Sequence, residues 1–84
     1  MSEDRETRLK RLRMRSWRRG TKEMDIILGT YSDHVIARLD ETELDAYEAL
    51  LGENDNDLYA WFSGRVPAPE AHALTIQRIL ESRT

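Results

Sequence analysis

Residues 21–35, Thr21-Lys-Glu-Met-Asp-Ile-Ile-Leu-Gly-Thr-Tyr-Ser-Asp-His-Val35, decide the fold class. Met24, Ile27, Leu28, Tyr31 and Val35 recur at spacings of three and four, which puts them on one face of a helix from near Thr21 to His34 or Val35. Alternation over several residues is missing, so Thr30 to Ala37 is a helix running out and not a strand.

Working outward, Asp40 with Glu43 forms an Asp variant of the capping box, and Leu44, Tyr47 and Leu51 continue as one face until Gly52. Asn54 or Asp55 can cap a short helix carrying Leu58, Trp61 and Phe62, with Gly64 at its C-terminal end. Pro69 suits a first helical turn and opens a last helix in which Ala73, Ile76, Ile79 and Leu80 face one way. Upstream, about Glu3 to Arg19 is rich in helix formers, with Ser2 as candidate N-cap and a poorly defined stripe of Leu9, Leu12, Met14 and Trp17. Gly20 then fits the left-handed position just past a helix, beside Arg15, Arg18 and Arg19 at the negative dipole end. The expectation is an all-α fold, a small antiparallel bundle of about five helices, with residues 1–84 as one domain. Its expected core is Leu28, Tyr31, Leu44, Leu51, Leu58, Trp61, Phe62, Ile76 and Leu80.

Size and composition narrow the function. A chain of 84 residues buries only about 60% of its unfolded surface, so a deep substrate cavity is hard to accommodate. No cysteine is present, which excludes disulfides, thiolate nucleophiles and thiolate zinc sites. No apolar run approaches the ~20 residues of a membrane span, and the N-terminal stretch is charged, unlike a signal peptide, so no membrane association is expected. Residues 1–23 carry nine Lys/Arg against four acids, whereas the remainder carries four against twelve. That asymmetry points to an interaction surface at the basic end, for an acidic protein patch or for nucleic-acid phosphate.

Catalytic and metal signatures are missing. His34 and His72 stand far apart, and both read as solvated or helix-capping groups. Glu53-Asn-Asp-Asn-Asp57 lacks the glycine and glutamate of a calcium loop and reads as a capping turn. The most distinctive stretch is Arg15-Ser-Trp-Arg-Arg-Gly-Thr-Lys-Glu-Met-Asp25, in which an arginine pair, a helix-stopping glycine and an acid occur together. If Gly20 reverses the chain, Arg19 and Glu23 come from adjoining helix ends on a convex corner with exposed side chains. An ordinary salt bridge around a tight turn and a partner-binding corner both fit.

Arg19-Gly20-Thr21-Lys22-Glu23 resembles the RGxxE signature of the SdhE flavinator family, the succinate dehydrogenase assembly factors that promote FAD attachment. Arg15, Arg18, Asp25 and Leu28 match the wider pattern around it, and Asp57-Leu58-Tyr59-Ala60-Trp61 resembles its later D-L-x-x-W element. The sequence departs from many members at Thr21, where methionine is usual, and at Asn56, where proline is. The resemblance implies a non-catalytic chaperone that binds the flavoprotein subunit of succinate dehydrogenase, with fumarate reductase as a second candidate client. It holds no cofactor stably itself and acts on FAD carried by the partner. The implied partner-binding residues are Arg15, Arg18, Arg19, Gly20, Glu23 and Asp25, and the implied setting is a bacterial cytoplasm. A nucleic-acid or ribosome-associated protein using the basic first helix is the alternative, and it leaves Glu23 without a role.

Overall fold

Side-chain caps set where the first four α-helices begin in the computed structural model, which describes residues 3–83. Helix α1 (Arg5–Trp17) starts at Asp4, whose carboxylate accepts the Thr7 N–H at 2.7 Å. Helix α2 (Lys22–His34) starts at Thr21, whose hydroxyl accepts the Met24 N–H at 3.3 Å. A 3-10 turn, Ile36–Arg38, leads to α3 (Glu41–Leu51), which opens with the expected reciprocal box between Asp40 and Glu43. Asn54 caps α4 (Asp55–Phe62), accepting from the Asp57 N–H at 2.8 Å, and Pro69 precedes α5 (Glu70–Ser82). The described residues contain no strand, and no helix among them is long and apolar enough to cross a membrane.

The first helix is shorter than the 3–19 span that propensity suggested. Asp4 supplies the cap; Ser2 lies outside the described residues. At the other end the Arg19 N–H donates to the Asp25 carboxylate at 2.6 Å, so that residue has left the helical pattern. Gly20 is not left-handed as expected; among the described residues only Gly64, with φ 80°, has a positive φ, and it closes α4.

One buried cluster joins all five helices: Leu12 from α1, Met24, Leu28 and Tyr31 from α2, Leu44, Tyr47, Leu50 and Leu51 from α3, Leu58 and Phe62 from α4, Ile76 and Ile79 from α5. Trp61 packs against it, partly buried. Leu80 is a correction, being 38% exposed. The buried face of α5 runs through His72, Ile76 and Ile79, and at 100° per residue the position after Ile79 turns toward solvent. Ala73 is exposed for the same reason.

Helix α1 lies antiparallel to α2, with Trp17 seated on Gly29 and its indole N–H donating to Asp33 at 3.2 Å. A β-carbon at Gly29 would collide with that ring, so the glycine permits the close approach. Tyr47 inserts its hydroxyl between these two helices, 2.7 Å from the Ser16 hydroxyl and 3.1 Å from the Leu28 carbonyl. Burial drives its phenol pKa well above the ordinary range, and the paired hydroxyls remove the cost of a stranded polar group.

Candidate functional site

The α1–α2 connection is tied to the α3–α4 turn by one side chain. Arg19 is 11% exposed and its guanidinium makes three bonds: Nε to Asp55 at 2.8 Å, and its two terminal nitrogens to the carbonyls of Leu51 and Glu53, each at 2.7 Å. Leu51 ends α3, where intrahelical donors run out, and Glu53 lies in the turn that follows; a planar cation satisfies both carbonyls well. The expected exposed Arg19 is therefore corrected: its fork is consumed inside the chain. It does not meet Glu23 either.

Asp55 is the second half of this tie and was not legible as such. Its other carboxylate oxygen accepts the Gly20 N–H, and a β-carbon on Gly20 would stand 2.7 Å from that oxygen. The glycine serves close approach to Asp55 within the chain. Sequence left Asn54 and Asp55 as rival caps for α4; because Asn54 takes the cap, Asp55 is released to face the corner. Asp25 also points inward, holding the Arg19 N–H.

What remains outward is different in kind. Glu23, in the first turn of α2, is exposed and has no hydrogen-bond or ion-pair partner among the described residues. With Thr21, Asp55, Asn56, Tyr59 and Arg65 it lines a shallow cleft of about 260 Å³. The Arg65 guanidinium lies 6.0 Å from the Tyr59 ring centroid. Arg18 is exposed and its side chain has no partner among the described residues. Of the six sequence-derived residues, then, the fold brings Arg19, Gly20 and Asp25 together as a structural knot and leaves Glu23 and Arg18 presented to solvent.

Arg15 belongs to a separate array. Arg5 reaches Glu41 at 2.7 Å, Arg8 reaches Asp45 at 2.7 Å and Glu48 at 2.8 Å, and Arg11 reaches Glu48 at 3.0 Å, with Arg15 3.9 Å from Glu48. The ascending order of partners means that α1 and α3 run in the same direction. Hydrogen bonds from Arg11 and Arg8 hold the Glu48 carboxyl below its ordinary pKa, and Asp45 raises that of Arg8. Much of the basic character of residues 1–23 is thus answered inside the molecule.

His72 is also a correction, since it is buried and not solvated. Its Nε2 lies 2.8 Å from a Glu53 carboxylate oxygen, and its ring stands 5.8 Å from that of Trp61. The contact fastens the start of α5 to the same α3–α4 turn that Arg19 holds.

The model of a family described as "Flavinator of succinate dehydrogenase" matches residues 10–83. A Pseudomonas putida protein named FAD assembly factor SdhE is 33% identical over 78 residues, covering 93% of this chain and 92% of that protein. A Legionella pneumophila (strain Lens) protein of the same name is 42% identical over 59 residues, covering 70% of this chain and 73% of its own. The mitochondrial succinate dehydrogenase assembly factor 2 of Mycosarcoma maydis is 40% identical over 68 residues. This chain spans 29% of that longer protein and 81% of itself is matched.

Proposed function

Since the chain belongs to the family of succinate dehydrogenase flavinators, we propose that it binds the flavoprotein subunit of succinate dehydrogenase and promotes covalent attachment of FAD to that subunit. The match over residues 10–83 carries this reading, because it takes in the corner, the α3–α4 turn and the last helix together. The chain acts by positioning. It supplies no catalytic group and holds no cofactor stably; the bond to the flavin forms on the partner, whose domains it keeps in a productive arrangement. A bacterial cytoplasm is the setting that the Pseudomonas and Legionella relatives favour, and fumarate reductase is a second candidate client.

Within the corner, the outward Glu23 and Arg18 are the contact groups. Arg19, Gly20 and Asp25 hold Glu23 in place, and Arg15 lies along the flank. A carboxylate with no partner among the described residues, on the first turn of a helix beside a cleft, is available to a donor on the client. The nucleic-acid reading loses its main support, because Arg5, Arg8 and Arg11 already face α3 carboxylates.

The test is co-expression with the succinate dehydrogenase flavoprotein subunit, followed by in-gel flavin fluorescence. Wild-type chain should raise covalent flavin, and folded Glu23→Ala should lose most of that gain, as removing one partner of an interfacial charged bond costs about 2–5 kcal/mol. Wild-type flavinylation by folded Glu23→Ala would remove Glu23 from the site. No gain with the wild-type chain would overturn the assembly role.

A further inference from the structure

From the Arg18–Arg19 end of the corner a groove continues along the outer face of α1. Thr7, Lys10, Arg11, Met14, Arg15, Arg18 and Arg19 line a shallow groove of about 510 Å³ to which no acidic side chain among the described residues contributes. Met14, at its middle, is 53% exposed. Arg11 and Arg15 lean toward Glu48, whereas Lys10 and Arg18, at either end, have no ion pair among the described residues. Those two cations stand eight positions apart, which is about 12 Å at the helical rise of 1.5 Å per residue.

Two cations without an ion pair among the described residues, flanking an apolar centre, specify the chemistry of an occupant. We propose that this groove docks an acidic amphipathic helix of the client flavoprotein, with two carboxylates about two turns apart over Lys10 and Arg18 and an apolar side chain between them on Met14. The proposal rests on the assembly reading above and extends its contact surface from Arg18 along α1 to Lys10. Charge complementarity selects the partner: the groove is positive and lacks any acid. Methionine suits such a seat because its flexible thioether adapts to the shape of the side chain laid on it. A groove reading nucleic acid would carry a continuous run of cations for successive phosphates. Here the central position is apolar, and Arg11 is already held by Glu3 and Glu48.

The experiment is calorimetric titration of the purified flavoprotein subunit, prepared without flavin, with the full chain and with Met14→Glu, Lys10→Glu and Met14→Leu. Both substituted positions lie on an exposed helix face, and circular dichroism checks that each variant is folded. Met14→Glu and Lys10→Glu should each weaken binding at least ~10-fold, as a loss at a central contact does, while Met14→Leu keeps wild-type affinity. Binding should also weaken as salt rises from ~50 to ~150 mM. Wild-type affinity in both Glu variants would overturn the groove and leave the assembly reading standing. Absence of any binding by the wild-type chain would overturn both. A gel shift with generic RNA at ~150 mM salt that Lys10→Glu abolishes, with subunit binding intact in that variant, would assign the groove to nucleic acid and overturn the proposal.

Discussion

Replacing Arg19 with alanine separates the structural half of the corner from its contact half. The substitution removes three bonds at once, to Asp55 and to the Leu51 and Glu53 carbonyls, and it leaves Asp55 and those two carbonyls in a region where the lost side chain was 11% exposed and Asp55 18%. Each hydrogen bond to a charged group is worth about 1.5–3 kcal/mol net, and the three share one group, so their sum is not additive. Water can re-enter at the partly open edge, which lowers the penalty below the 3–5 kcal/mol of a fully buried broken pair. A loss of about 2–4 kcal/mol follows, a large part of the roughly 5–10 kcal/mol available to a small domain. In a domain of this size that is a fall of about 10–30 °C in Tm. Urea and thermal unfolding followed at 222 nm would measure it, with Arg19→Lys intermediate because an ammonium restores the charge but not the fork. The double variant Arg19→Ala, Asp55→Ala should be less destabilised than the two single losses added, since each removes the other's partner. If Arg19→Ala unfolds within about 0.5 kcal/mol of wild type, the guanidinium is not the tie described and the corner is held by other contacts.

Glu23→Ala should change unfolding free energy by no more than about 0.5 kcal/mol, as an exposed partnerless side chain does, and a larger loss in urea titration would mean that Glu23 has a structural bond. Gly29→Ala should destabilise by about 1–3 kcal/mol through collision with Trp17, partly offset by up to ~1 kcal/mol of helix propensity, and should shift tryptophan fluorescence; an unchanged spectrum would show the ring is not seated there. Hydrogen bonds from Arg11 and Arg8 hold the folded pKa of Glu48 below the ordinary carboxyl value of 4.5, so its contribution is present above that value and lost as pH falls through the lower folded pKa. Wild-type stability should therefore decline on acidification through that window, and Glu48→Gln should flatten the decline; parallel stability–pH curves would show that the Arg8–Arg11–Glu48 array contributes nothing.

Much of this molecule was decided locally. The three-and-four spacing of Met24, Ile27, Leu28 and Tyr31, the Asp40/Glu43 box, the Asn54 cap and Gly64 are signals spanning a few residues, and a helix and its ends are set over the same range. Arg19, Gly20 and Glu23 were also legible as a distinctive cluster, and their signature together with the later Asp57–Trp61 element, the length and the helix order carried the resemblance to the family. The sequence alone therefore established the all-helical class, the order of elements and the place to look.

Which side of that cluster faces the solvent was settled only by tertiary structure. Arg19 meets Asp55 across 36 residues, Arg8 meets Glu48 across 40, and His72 meets Glu53 across 19. No local pattern fixes such pairs, because they depend on the relative placement of helices that helical periodicity leaves open. One signal was present and unused: Glu41, Asp45 and Glu48 form a single acidic stripe on α3 that matches Arg5, Arg8 and Arg11 on α1. Leu80 went wrong for a related reason, since adjacent apolar positions such as Ile79 and Leu80 lie 100° apart and only the packing of α5 selects which one is covered. Local spacing dictates that a helix exists and which residues share a face; burial of a given charge or side chain depends on what the rest of the chain sets against it.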